Sequence, residues 1–369
     1  MLSWTKSNLA VVALFSGIFA TGCDKTPPPL TPAEQLARVQ ARGPWAVGVH
    51  VLELTYDDPA DDAPRTLRVT VWAPSADTEG QSVEYRGLLE SDGAWDEASL
   101  ADGTFPLVIY SHGHQGYAES SSFLMEHLAS HGLLVIAPDH TENTLFDGPD
   151  RDTEIYHQRP RDLSAVLDGL TAGALDAPGL TLSAAWDGRV IATGHSFGGY
   201  TLAALFGGVY DVAALEAACA TPSDDGVCST FDEADAQAFS AGLDDPRVLG
   251  AVIMAPGDFD LFGAPGLANL QGPVVIMTGE EDPGLDGDRY WSAVEAGDAR
   301  RLRLVGGGHL AFTDFSGQLE SGELIEPEEG WRILNGYTLA FALHSLGEPG
   351  LEGILDGSSS LGDAALISP

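Results

Sequence analysis

An α/β architecture with a mainly parallel central sheet of about eight strands, covered by helices on both faces, is predicted by three observations. Apolar runs alternate with helical patterns from residue 47 onward. Several of those runs, Pro106–Ser111 and Leu133–Pro138 among them, are continuously apolar, as strands buried on both faces must be. A glycine-flanked serine, Gly194-His195-Ser196-Phe197-Gly198, joins one such run directly to a helical pattern.

In chain order, Val47–Leu54 and Thr66–Pro74 alternate as strands around an acidic turn, Asp57–Asp62, and read as an antiparallel opening pair. Pro106–Ser111 leads to a helix at Ser120–His131, with Phe123, Leu124, His127 and Leu128 on one face. Leu133–Pro138 is the next strand, and Arg161–Leu170 a helix with Leu163, Val166, Leu167 and Leu170 at helical spacing. Arg189–Thr193 is a strand and Phe197–Phe206 a helix. Val248–Met254, Pro273–Thr278 and Arg301–Val305 supply three more strands, and Trp331–His344 a last helix. Strand–helix alternation implies right-handed crossovers, and ligands in such sheets sit at the carboxyl ends of the strands.

Composition narrows the function. Fifty-five acids against 17 Lys+Arg give a formal net charge of −38, spread along the chain. Such a surface repels phosphate backbones, so nucleic-acid partners are disfavoured. At the amino terminus, Lys6 precedes an apolar run, Leu9–Phe19, too short for a permanent span, then Ala20-Thr21-Gly22-Cys23. Residues 1–22 therefore read as an export signal. The segment 23–44, opening with Cys23 and containing Pro27-Pro28-Pro29, reads as a stiff spacer before a domain at 45–346. Tyr210–Asp245 is an acidic, Ala-rich insertion expected near the active site as a partial lid, and the Gly/Ser-rich tail 347–369 is expected to be mobile. Cys219 and Cys228 flank turn-forming residues and fit a disulfide in an oxidising compartment, a free buried pair being the alternative.

The strand–serine–helix context fits a nucleophile elbow. A serine hydroxyl needs a base, and His309 follows the strand Arg301–Val305 through Gly306-Gly307-Gly308, glycines expected to let the loop swing the imidazole over Ser196. The supporting acid is expected to be Asp282, which ends the segment Val274–Asp282 and completes the order Ser…Asp…His. Asp258, after the preceding strand, and Glu281 stay open as rivals. Two backbone N–H groups should hold the oxyanion: Phe197 and, from the loop Ser111–Gly116, His114, with Gln115 its neighbouring alternative. His112-x-His114 lacks the Asp-His pair that a metallo-hydrolase would place two residues on, Asp139-His140 reads as a structural or cleft-lining pair, and the turn Asp282–Asp288 does not match calcium-loop spacing. No metal or cofactor is expected.

Together His112–Gly116, Ala137–His140, Arg159–Asp168, Gly194–Gly199 and Gly308–Phe315 resemble the platelet-activating-factor acetylhydrolase/dienelactone hydrolase branch of the α/β-hydrolase superfamily, over roughly residues 45–345. Thr141–Asp147 is similar to the bacterial cutinase-like polyester hydrolases, and Ala20–Cys23 resembles a bacterial lipobox with Ala where Leu is preferred. The resemblance implies an α/β-hydrolase fold and a metal-independent Ser-His-Asp hydrolase of short acyl, phospholipid-like or polyester-type esters. It also implies acylation of Cys23 and a cell-envelope lipoprotein attached to a membrane; a plain secretory signal is the alternative. Dienelactone hydrolases proper use a cysteine nucleophile, so Ser196 sets that activity aside. A serine peptidase of the same fold and a non-catalytic surface lipoprotein are the other readings.

Overall fold

The computed structural model describes residues 30–59, 64–147, 152–221, 223, 226–284 and 286–368. The expected export signal at 1–22, Cys23 and the spacer prolines 27–29 lie outside the described residues.

Among the described residues eleven strands form one sheet: β1 (Ala46–Tyr56), β2 (Arg65–Ser75), β3 (Ser82–Tyr85), β4 (Leu89–Asp96), β5 (Phe105–Ser111), β6 (Leu134–Pro138), β7 (Trp186–His195), β8 (Val248–Met254), β9 (Val274–Gly279), β10 (Ala299–Leu304) and β11 (Ala365–Ser368). Their spatial order is β11-β10-β9-β8-β7-β5-β6-β2-β1-β4-β3. From β6 through β5, β7, β8 and β9 to β10 every neighbouring pair is parallel. The flanks are mixed: β1–β2, β2–β6, β3–β4 and β10–β11 are antiparallel, while β1–β4 is parallel. The sheet is thus larger than the eight strands the sequence predicts. The three extra ones lack the signal used to find strands: β3 is four residues long, β4 (Leu-Glu-Ser-Asp-Gly-Ala-Trp-Asp) is polar and acidic, and β11 lies in a Gly/Ser-rich context.

Each parallel strand serves two cores, because successive side chains leave opposite faces. Leu107 and Ile109 of β5, with Leu134 and Ile136 of β6, enter one apolar cluster with Leu163, Val166 and Leu167 of the helix Thr153–Ala172. Val108, Tyr110, Val135 and Ala137 face the other way, onto Leu124 and Leu128 of the helix Ser122–Ser130 and Ile333 and Leu334 of the helix Pro327–Ser345. The chain passes from β5 to β6 on one side and returns to β7 on the other. The β5–β7 boundary is therefore the switch point at which a crevice opens above the sheet.

Two expected domain boundaries and one helix start move. Within the predicted spacer, Pro32–Gln40 is a helix with a complete Thr31/Glu34 capping box, and its Val39 is buried with the Pro327–Ser345 helix, so the domain begins before residue 45. The tail 347–369, expected to be mobile, instead buries Leu351, Ile354, Leu355 and Leu361 and adds β11 to the sheet edge. Few apolar residues are spread among its glycines, but nearly all of them point inward. The helix predicted from Arg161 starts eight residues earlier and runs through Pro160. A proline lacks the N–H that would bond the carbonyl four residues back. That carbonyl, of Tyr156, accepts the Tyr200 hydroxyl at 2.8 Å instead.

Burying an apolar side chain contributes about 1.5–3 kcal/mol, so truncation after Leu346 should cost several kcal/mol. A midpoint of thermal unfolding lowered by roughly 5–10 °C is expected; an unchanged midpoint would show that the tail packs without contributing.

Candidate active site

Ser196 stands between β7 and the helix Phe197–Leu205, at φ 57° and ψ −117°. Left-handed backbone costs a non-glycine residue about 1–3 kcal/mol unless its surroundings impose it. Here they do. The Ser196 N–H is held by the Met254 carbonyl of β8 at 2.9 Å. A Cβ on Gly198 would lie 2.0 Å from the Ser111 carbonyl oxygen, and one on Gly194 2.6 Å from that of Gly198. The glycines are there because three backbones converge, and the serine hydroxyl is lifted to the sheet's carboxyl edge at the mouth of a helix N-terminus, the positive end of its dipole.

His309 begins a short 3-10 turn, His309–Phe312, after β10. Its Nε2 lies 2.9 Å from Ser196 Oγ and its Nδ1 3.0 Å from Asp282 Oδ2. With Nδ1–H donating to the carboxylate, Nε2 is left to accept the serine proton. Asp282 is nearly covered while His309 keeps about a third of its side chain open to the cleft (8% and 34% exposed). The glycine loop does not serve the freedom of movement expected from the sequence. A Cβ on Gly279 would lie 2.3 Å from the Gly307 carbonyl oxygen, one on Gly307 2.9 Å from Leu304, and one on Gly308 2.5 Å from Glu320. Glu281 N–H donates to the Gly307 carbonyl at 2.8 Å. These close contacts lay the histidine loop on the loop after β9, which is what sets Asp282 beside His309.

The rival acids lie elsewhere. Asp258, at φ 59° after β8, accepts from the Tyr156 hydroxyl at 3.3 Å, and the Glu281 side chain is exposed. One residue beside the serine escaped the sequence reading. His195 Nε2–H donates to the His309 carbonyl at 2.8 Å, fixing the backbone that carries the imidazole. Burial pushes the His195 pKa down to about 3, with His309 nearby adding to the effect, so the ring stays neutral. Its only sequence signal is its place inside the glycine motif.

The loop after β5 lies against the elbow: a Cβ on Gly113 would be 3.3 Å from Ser196 Cβ. The next residue, His114, packs its ring edge-on to Phe197, centroids 6.3 Å apart, so the two residues expected to supply oxyanion donors are neighbours. Gln115 holds a left-handed turn at φ 53°. His112 and His114 do not converge: His112 Nδ1–H donates to Gly113 O at 2.7 Å while its Nε2 accepts His140 N–H at 3.0 Å. Asp139 accepts Ala118 N–H at 2.8 Å and pairs with Arg86, a structural role.

Around Ser196 and His309 a cleft of about 710 Å³, open mouth included, is lined by Gly113–Tyr117, Leu145, Leu310, Phe315 and Leu319. Leu319, 78% exposed, and the half-exposed Leu145 belong to this lining; the half-exposed Phe146 packs on Tyr117 behind it. Among the described residues none from the 210–245 insertion lines this cleft. The insertion, expected as a partial lid, instead packs on the start of the helix Thr153–Ala172. Its Cys219 and Cys228 are joined as a disulfide, Thr153 Oγ1 donates to Val227 O at 2.9 Å, and His157 reaches Asp235 at 2.8 Å.

Residues 98–220 match the Chlorophyllase family. The chain is 36% identical over 98 residues to cutinase est2 of Thermobifida alba, covering 27% of this chain and 29% of that protein. It is 38% identical over 106 residues to a bis(hydroxyethyl) terephthalate hydrolase of Streptomyces coelicolor, covering 27% and 28%. The chain thus spans under a third of the length of these curated relatives. A ferulic acid esterase from Streptomyces cinnamoneus, a solved structure, superposes with a TM-score of 0.62 at 23% identity, over 90% of this chain and 99% of that one. This likeness is one of fold: the chain has an α/β-hydrolase fold, on a mixed sheet.

Loss of the carboxylate that holds the imidazole tautomer should cut the reactivity of Ser196 toward an organophosphonate by about 10³–10⁴-fold in Asp282→Asn. Asp258→Asn should stay near wild type. The reverse ranking would move the acid to Asp258.

Proposed function

We propose that this protein is an exported serine carboxylic ester hydrolase working through an acyl-enzyme. The observation that carries the reading is the hydrogen-bonded chain Ser196 Oγ–His309 Nε2, His309 Nδ1–Asp282 at the floor of an apolar cleft. A binding module has no need of a serine held in strained backbone with a base and an acid in line behind it.

In this reading His309 takes the Ser196 proton as Oγ attacks the ester carbonyl carbon, and Asp282 stabilises the imidazolium that forms. The carbonyl oxygen, now an anion, is received by the backbone N–H groups of Phe197 and His114. His309 returns its proton to the leaving alkoxide, leaving the acyl group on Ser196. Water then attacks the acyl carbon as His309 accepts its proton, and collapse of the second tetrahedral adduct releases the acid while His309 returns that proton to Ser196 Oγ. No step needs a metal or cofactor.

The exposed Leu145 and Leu319 of the cleft lining suit substrates with hydrophobic flanks, and the partial likeness to cutinases and a terephthalate-ester hydrolase supports the same class. We assign short acyl, phospholipid-like or polyester-type esters as substrates, in keeping with the acetylhydrolase-like motifs. The Cys219–Cys228 disulfide fits an oxidising compartment, and membrane attachment through Cys23 belongs to the same proposal.

A fluorophosphonate probe should label the wild type and not Ser196→Ala, with p-nitrophenyl acetate hydrolysis lost in parallel. If the wild type neither labels nor hydrolyses, the protein is not an esterase. A series of p-nitrophenyl acyl esters beside a short-chain phosphatidylcholine then defines the acyl preference.

A further inference from the structure

Beneath the elbow lies a buried cation that the reaction scheme does not use. Arg159, fully buried on the helix Thr153–Ala172, sends each arm of its guanidinium to a different part of the site. Nη1 donates to Asn143 Oδ1 at 2.7 Å, and the Asn143 amide donates onward to His114 Nδ1 at 3.0 Å. Nε donates to Thr201 Oγ1 at 3.1 Å, and that hydroxyl donates to the Phe197 carbonyl at 2.9 Å. Nη2 binds the His112 carbonyl and, at 3.1 Å, Ser111 Oγ. The guanidinium carbon also stands 4.6 Å from the centre of the Phe197 ring.

Both residues named as oxyanion donors, Phe197 and His114, are therefore held by one side chain through one intermediary each. We propose that Arg159 is a positioning residue that sets the oxyanion pocket, with Asn143 and Thr201 as its two relays. The proposal rests on the serine esterase reading.

Arg159 is itself anchored. Ser111, whose hydroxyl it meets, lies 2.9 Å from His140 Nε2, and His140 Nδ1 lies 2.8 Å from Asp162 Oδ2. Asp162 is three residues after Arg159 on the same helix and is braced by Arg65 at 2.8 Å and Tyr56 at 2.7 Å. This Ser–His–Asp chain copies the atom pattern of the active one, yet Ser111, His140 and Asp162 are all fully buried. It has no access to substrate and works as a brace. Burial, reinforced by Arg159, drives the pKa values of His112 and His140 well down, so both rings stay neutral beside the guanidinium. The Arg-Pro-x-Asp segment, read from sequence only as a family mark, thus has a physical task.

Oxyanion geometry matters in the tetrahedral adduct and little in the ground state, which separates this role from general stabilisation. His114→Phe keeps the ring against Phe197 and the backbone N–H at 114 but removes the acceptor of the Asn143 amide. Thr201→Val keeps the shape and removes the link to Phe197. Each variant, with a thermal midpoint close to wild type, should lose about 10- to 100-fold in kcat on p-nitrophenyl butyrate while KM stays within about twofold. Affinity for an alkylboronic acid, which forms a tetrahedral adduct on serine, should weaken in proportion to kcat. Binding of p-nitrobenzyl alcohol, which forms no adduct, should not change. Two folded variants that keep wild-type kcat, or that lose kcat with boronate affinity intact, would overturn the assignment. A wild type that itself fails to hydrolyse the ester would instead remove the esterase reading on which it stands.

Discussion

The site depends on one steric constraint: the elbow after β7 is pressed so close to the end of β5 that only glycine fits between them. Gly198 meets the Ser111 carbonyl and Gly194 meets Gly198, while Ser196 is tied to Met254. Together these contacts force Ser196 into left-handed backbone and expose its hydroxyl. Strain at one residue is affordable because the parallel strands on either side are buried at their carboxyl ends and packed too tightly to yield. Of the six other non-glycine residues with positive φ among the described residues, four, Gln115, Glu142, Ala255 and Asp258, lie in loops at the same edge of the sheet. Irregular backbone is concentrated where the chemistry is proposed, above a regular core.

Charge is arranged on the same plan. The protein carries a formal −38, an unfriendly background for the proposed reaction, which develops negative charge on a carbonyl oxygen. Locally the balance is reversed. The start of the Phe197–Leu205 helix points at Ser196, and the Arg159 guanidinium lies under Phe197. In a dry interior such groups act over short distances with little screening, whereas the surface acids are damped by solvent and salt.

Much of this was legible in the sequence, for reasons that can be named. The eight predicted strands are found because each carries an alternating or continuous apolar run, whereas β3 and β11 are only four residues long and β4 is polar and acidic. Ser196 and His309 follow from a motif in its strand–helix setting and from chain order. Which carboxylate stands beside His309 was harder to read, because Asp282 and Asp258 both follow buried strands and sequence order admits either. What separates them is the packing of Gly307 on Gly279, a contact between two loops that no local pattern records. The same holds for His195, which acts through a backbone carbonyl 114 residues away. It holds too for the 210–245 insertion, whose composition suggests a lid but whose Tyr210 and Phe239 are anchored in the core.

The central claim is that Ser196 attacks and that Phe197 and His114 receive the oxygen. A crystal structure of the protein inactivated by an alkyl phosphonate tests it most directly, because the adduct copies the tetrahedral intermediate. The account predicts phosphorus bonded to Ser196 Oγ, with one phosphonyl oxygen roughly 2.7–3.1 Å from both backbone nitrogens. Phosphorus on another residue, or that oxygen turned toward solvent, would contradict it.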